Sequence, residues 1–260
     1  MRRLLLAAAL LAGCQASSQP ASPPQSRPTL YILTALPLFW GEQSLPQLLQ
    51  QDAPASGRAP VLRALDAQWD VRPLDVARPS ALQGVTALVV AQPPALAPDE
   101  LVALDAWVRQ GGQAVLFVDP DLQWPSSYAP GDPRRPPQTN LIGPLLAHWG
   151  LDLVANPAAS APHRLAWSGA DLELRGSGQW QLKGDACQRP LPELAECRLG
   201  QGHVWLLADA DVLDSESLAA AQTGPVRLIA TILADKINKN QRRTSEVPVE
   251  EGRRKTADSP

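Results

Sequence analysis

An α/β protein with a mainly parallel sheet is what this chain writes, and three features carry that reading. Residues 93–121, PPALAPDELVALDAWVRQGGQAVLFVDPD, spell a helix followed by a buried strand. Two further runs, Leu30–Leu36 and Val85–Ala91, are apolar without alternation, as strands covered on both faces are. Residues 164–199 instead alternate polar and apolar, the pattern of antiparallel hairpins with one wet face.

Taken in order, the first strand begins near Thr29 and ends in Pro37-Leu38-Phe39-Trp40-Gly41-Glu42. Trp40 and Glu42 then stand at a strand's carboxyl end, where they line a pocket or, in the commoner case, the aromatics cap the core. Leu45–Gln51 and Pro60–Gln68 have helical spacing, and Trp69–Leu74 is a short second strand interrupted by Pro73. In the 93–121 unit, Pro98 suits a first helical turn, and Asp99 and Glu100 meet the positive end of the helix dipole. Leu101, Leu104 and Val108 mark the inward face, and Gly111 and Gly112 end the helix. Ala114–Val118 is the next strand, closed by Asp119 and Asp121 at its carboxyl end, where open α/β sheets bind ligands.

A long proline- and charge-rich connection, residues 122–140, leaves from that edge with Trp124, Tyr128, Arg134 and Arg135. Thr139 or Asn140 caps a helix ending at Gly150, and Leu151–Val154 resumes as a strand. After the hairpin segment, Gly200–Asp211 returns to a buried strand, with a second acidic pair, Asp209 and Asp211, at its carboxyl end. Thr223–Asn238 is a closing helix. The order predicts a flavodoxin-like sheet with helices on both faces, in one domain over 29–238 with an antiparallel hairpin insertion at about 155–199.

The termini read differently. Residues 1–13 carry Arg2 and Arg3, then an apolar run too short to span a bilayer, then Leu11-Ala12-Gly13 before Cys14. That resembles the bacterial lipobox, in which the leader is removed and Cys14 is acylated; the other reading is an ordinary secretory leader cleaved nearby. Gln15 after the cysteine, where an aspartate would signal retention, resembles the sorting rule for the outer rather than the inner membrane. Residues 14–28 are a Pro/Ser/Gln linker, and 239–260 form a charged tail without aromatics, both expected to be disordered. With Cys14 assigned to lipid, Cys187 and Cys197 remain as an even pair in an oxidising compartment and predict a short-loop disulfide. A reactive thiol is the sharper alternative, but no C-x-x-C spacing or adjacent histidine accompanies it.

The formal net charge of −3 and the lack of a basic stripe exclude nucleic acid as a partner. His148, His163 and His203 are scattered and show no metal-ligand spacing with the cysteines, so no metal is expected. The first strand runs into bulky L-P-L-F-W-G-E instead of a glycine-rich phosphate loop, so no nucleotide or other cofactor is expected.

The runs ALVVAQPPALAPDELVALDAWVRQGGQAVLFVDP, LLAHWGLDL and GQGHVWLLADADVL together resemble the auxiliary domain of ABC-type uncharacterised transport systems, the gliding-motility GldG-like group. The resemblance spans roughly Leu30 to Asp235. It implies a glutamine-amidotransferase-like fold, work beside a membrane transporter, and no established catalytic residues. The usual member is held by transmembrane helices, whereas this chain is expected to hold on by lipid. Neither acidic turn, D-P-D-L-Q-W or A-D-A-D-V-L, offers the nucleophile that an amidotransferase-type hydrolase needs. The expectation is therefore a non-catalytic, membrane-anchored binding domain facing the periplasm, in contact with an ABC transporter or other envelope proteins. Its binding edge would comprise Trp40, Glu42, Asp119, Asp121, Trp124, Arg134, Arg135, Asp209 and Asp211. The alternative is a carboxylate-dependent hydrolase of envelope glycans, in which case two of the acids should stand about 5–10 Å apart across an open cleft.

Overall fold

The computed structural model describes residues 27–42, 57–159, 161–214 and 218–233. The leader, Cys14, the helix expected at Leu45–Gln51, residues 234–238 and the charged tail lie outside the described residues. Four strands come from the first half: β1 (Thr29–Thr34), β2 (Asp70–Pro73), β3 (Ala87–Ala91) and β4 (Gln113–Phe117). Seven follow: β5 (Leu151–Ala155), β6 (His163–Trp167), β7 (Ala170–Leu174), β8 (Gly178–Leu182), β9 (Cys187–Leu191), β10 (Leu194–Leu199) and β11 (Gly202–Leu207). The helices are α1 (Pro60–Leu65), α2 (Pro79–Leu82), α3 (Pro98–Arg109), α4 (Gly143–His148), α5 (Leu218–Thr223) and α6 (225–233). No helix among the described residues is long and apolar enough to cross a membrane.

The centre is a mixed, mostly parallel seven-stranded sheet in the order β2-β1-β3-β4-β11-β10-β9. Strands β1 to β4 and β11 run parallel, while β10 and β9 complete the sheet antiparallel. Because side chains alternate along a strand, each apolar run feeds two cores at once. Ile32, Val89, Val115, Phe117 and Leu207 face one side, with Leu62 and Leu65 of α1 and Leu228 and Ile229 of α6. Leu33, Leu88, Val90, Leu116 and Leu206 face the other, with Leu82, Leu104, Val108 and Leu146 of α2, α3 and α4. Helices on both faces explain why these strands lack polar alternation.

Helix α3 is the expected one, started by Pro98 and by Glu100, whose Oε2 accepts the Ala97 N–H at 2.9 Å. Its inward face carries the expected Leu104 and Val108, with Leu101 half-buried against the same core, and adds Ala103 and Trp107. Trp107 donates its Nε1–H to the Val85 carbonyl at 2.9 Å. The two glycines after α3 have different jobs. Gly111 takes a φ of +107°, whereas at Gly112 a Cβ would stand 2.6 Å from the Trp107 ring.

Two expectations are corrected. The hairpin segment is not wholly an insertion: only β5 to β8 stand off the sheet, as the pairs β5-β8 and β6-β7, while β9 and β10 join its edge. The tight turn at Gly200, with φ +60°, delivers β10 directly alongside β11, and four of the six β10 side chains are buried. The closing helix also begins earlier than Thr223, as α5, and is broken at Gly224 before α6. A Cβ at Gly224 would crowd the Asp171 carbonyl at 3.0 Å. Cys187 and Cys197 form the expected disulfide, joining directly paired residues of β9 and β10.

Candidate functional site

The carboxyl ends of β3, β4 and β11 meet at one edge of the sheet, and three of the acids singled out in the sequence meet there with them. Asp119 follows β4, and Asp209 and Asp211 follow β11, which pairs with β4 in parallel register. One carboxylate oxygen from each lies within 4.8 Å of the other two. All three residues have 0% exposure, so the cluster sits beneath the rim and not in an open cleft.

Backbone amides hold these carboxylates. Asp119 accepts from Asp121 N at 2.8 Å (Oδ1) and from Ala210 N at 3.1 Å (Oδ2). Asp209 accepts from Val212 N at 3.1 Å (Oδ1) and from Arg175 N at 2.6 Å (Oδ2). Asp211 accepts from Gln123 N at 2.8 Å through Oδ2, while its buried Oδ1 has no hydrogen-bond partner. Burial pushes the Asp119 carboxyl up to about 7 against the pull of its two backbone donors, and the Asp211 and Asp121 charges add to the rise. Burial likewise raises Asp209 well above the usual range, with the Asp119 charge next in importance. Asp211 is raised to about 6, again by burial, although the Gln123 amide and the Arg175 charge oppose it.

Two organising residues lie outside the sequence candidates. Gln92, fully buried at the end of β3 with φ +36°, accepts the Asp119 N–H through Oε1 at 2.9 Å. Its Nε2 donates to the carbonyls of Asp119 (3.3 Å) and Pro137 (2.9 Å), tying β3 to β4 and to the long loop. A glutamine closing a wholly apolar strand before two prolines was the available signal. Arg175, in the β7–β8 connection, gives its backbone N–H to Asp209 and its guanidinium to the Asp211 carbonyl (3.1 Å) and Asp214 Oδ2 (3.2 Å). Nothing in its local sequence signals that role.

Of the remaining candidates, Glu42, Arg134 and Arg135 gather at the 122–140 loop. Glu42 accepts both the backbone N–H and the hydroxyl of Ser127 at 2.6 Å, pinning the 122–140 loop to the segment that follows β1. Arg134 pairs with Asp132 at 2.6 Å and lies 4.0 Å over the Tyr128 ring, while Arg135 donates to the Tyr128 carbonyl at 3.2 Å. Trp40 is 55% exposed beside this loop's anchor. Trp124, expected at the rim, packs instead into the core under α1, and Asp121 is exposed and joins the cluster through its backbone.

Among the described residues, each of the three histidines lies beside a carboxylate: His148 near Asp105 and also Arg109, His163 near Glu193, and His203 near Glu196 and the Trp205 ring. With both described cysteines in the disulfide, no thiol–imidazole pair exists there. The arrangement is that of an α/β domain with a closed, amide-bound acidic cluster under an irregular polar rim. It belongs to the family described as ABC-type uncharacterized transport system, whose model matches residues 27–162. That span is shorter than the resemblance read from the sequence and contains Asp119 but not Asp209 or Asp211. No curated protein sequence matches the chain significantly.

Several solved structures are similar at low identity. An exo-β-1,4-mannosidase from Opitutaceae bacterium strain TAV5 aligns at 13% identity and a TM-score of 0.42, over 85% of this chain and 34% of its own. A β-galactosidase from Bacillus circulans sp. alkalophilus aligns at 13% and 0.44, over 81% and 31%. A ThuA-like protein from Bacteroides uniformis aligns at 10% and 0.42, over 82% and 95%. The chain thus spans about a third of the length of the glycosidases it matches.

Proposed function

We propose that this chain is a non-catalytic auxiliary domain of an ABC-type transport system, tethered to a bacterial membrane through acylated Cys14 and facing the periplasm. The observation that carries the reading is the state of the acids at the strand ends. Glycoside cleavage needs two carboxyl groups flanking a sugar, roughly 5–10 Å apart with room between them. Asp119, Asp209 and Asp211 are packed against one another, sealed from solvent and occupied by backbone amides. In this reading they hold the backbone at the strand ends and do not attack a substrate. Family membership supports the association with a transport system. The disulfide supports an oxidising compartment. The strand order β2-β1-β3-β4-β11 supports the flavodoxin-like, glutamine-amidotransferase-like reading of the fold. In this reading the leader is 1–13, residues 14–28 let the domain stand off the bilayer, and Gln15 directs the tether to the outer membrane. Trp40, with Arg134 and Arg135 of the pinned loop, is the contact surface.

Two measurements test the proposal. Cys14→Ser should move the protein from the membrane to the soluble fraction; retention in membranes refutes the lipid tether. A photo-crosslinking residue in place of Trp40 should capture a subunit of a transport system in living cells. Absence of such an adduct, together with glycan-cleaving activity of the purified chain, overturns the non-catalytic role.

A further inference from the structure

We propose that the cavity beside the β6–β7 hairpin binds a small zwitterion, a free amino acid or dipeptide whose ammonium and carboxylate are both recognised. The inference goes beyond the transport reading and does not depend on it.

The argument starts from strand alternation. In β7, Leu172 and Leu174 are buried, so Asp171 and Glu173 stand on the opposite face, with Arg164 of β6 directly across from Glu173. These three residues, Arg175 after β7 and Asp214 after β11 line a cavity of about 440 Å³, a size that suits a small molecule. Its charges are only partly used. Arg175 bonds the Asp211 carbonyl (3.1 Å) and Asp214 Oδ2 (3.2 Å) through Nη2 alone, so Nε and Nη1 make no bond among the described residues. Arg164 gives one bond, from Nη1 to Asp171 Oδ2 at 2.8 Å. Glu173 makes no hydrogen bond or ion pair among the described residues. Donors and acceptors of full charge are thus both on offer in one hollow.

Each ligand class can be judged by what it leaves unmet. Four acids line the cavity against two arginines, so a simple anion is repelled. A simple cation answers Glu173 but displaces water from the unused Arg175 donors and gives them nothing in return. An uncharged sugar binds best over an aromatic face, and none of the lining residues is aromatic. A zwitterion meets both needs. Its carboxylate accepts from the unused arginine donors, in bonds strengthened by charge on both partners. Its ammonium has three donors, and Glu173 is the acceptor with no prior claim. Val212, Ala220 and Pro225 form an apolar part of the wall, on which a short aliphatic side chain can rest. The half-buried Arg175–Asp214 pair, 30% and 33% exposed, holds the guanidinium in place before the ligand arrives.

The test is calorimetry on the full chain, purified in detergent and titrated separately with L-alanine and L-alanyl-L-alanine. One site is expected for at least one of them, with a Kd below about 1 mM. Acetylating the amine or amidating the carboxylate of the bound compound should each weaken binding by at least about tenfold, because either change leaves a charged group of the cavity unmatched. Glu173→Gln should weaken binding by a similar factor, and the loop control Asp132→Asn should leave it unchanged. Glu173 is exposed, so its variant is expected to fold, and thermal melting verifies that it does. No heat with either compound up to about 10 mM overturns the site. Binding of the acetylated or amidated compound, or of glucose, as tight as that of the zwitterion overturns the ligand class. A folded Glu173→Gln variant that binds like the native chain overturns the assignment of the cavity.

Discussion

With a φ of +36° and no exposed surface, Gln92 holds a backbone geometry that L-residues rarely adopt. What compensates is a set of side-chain bonds: its amide satisfies the Asp119 N–H and the carbonyls of Asp119 and Pro137, three groups at the meeting of two strands and the long loop. Replacing it with alanine strands those groups in a buried place. Gln92→Ala is expected to cost on the order of 2–3 kcal/mol, measured by denaturant unfolding. The same residue marks a limit of reading locally. Asp119, Asp121, Asp209 and Asp211 stand out as acids ending apolar runs, yet whether such an acid faces solvent or turns inward depends on which amides surround it. For Asp209 one of those amides is Arg175 N, thirty-four residues away.

At the scale of elements, the end of α3 and the start of β11 approach each other closely at Gly202. A Cβ at Gly202 would lie 1.8 Å from the Val108 carbonyl oxygen and 2.7 Å from that of Gly112. Both obstacles are backbone, so neither can rotate aside. Gly202→Ala is therefore expected to destabilise by at least about 1–3 kcal/mol, or to shift β11 against β4, and thermal melting reads the loss. The helix α3 and strand β4 were legible because both follow local periodicity and their caps are local. The join of β10 and β9 to the central sheet was not. Alternation announces a half-wet hairpin, but the strand to which the hairpin attaches is set by the turn at Gly200 and by the space left beside β11.

For the whole molecule, the acidic cluster couples folding to pH. Asp119 is raised to about 7 and Asp211 to about 6, from an ordinary value near 4. Between about pH 4 and 7 the folded state therefore holds more protons than the unfolded chain, so stability falls as pH rises through that window and stays lower above it. The purified protein should melt at a lower temperature at about pH 8 than at about pH 5, and Asp119→Asn should flatten the difference. A melting temperature that climbs over the same interval would show that these carboxyls are not raised. The cluster belongs to this scale because Asp119 and Ala210, which it joins, are ninety-one positions apart.

From residues alone came the α/β class, the buried parallel strands, the helix ahead of β4, the disulfide pair and the family resemblance. Each rests on short-range regularities: period, caps, composition and spacing. Folding in three dimensions had to supply the rest: the inward turn of Asp119, Asp209 and Asp211, the burial of Trp124, the tying role of Gln92 and Arg175, and the edge position of β9 and β10. Burial and hydrogen-bond partnership are properties of neighbours brought together across the chain, and a carboxylate's charge state follows from those neighbours.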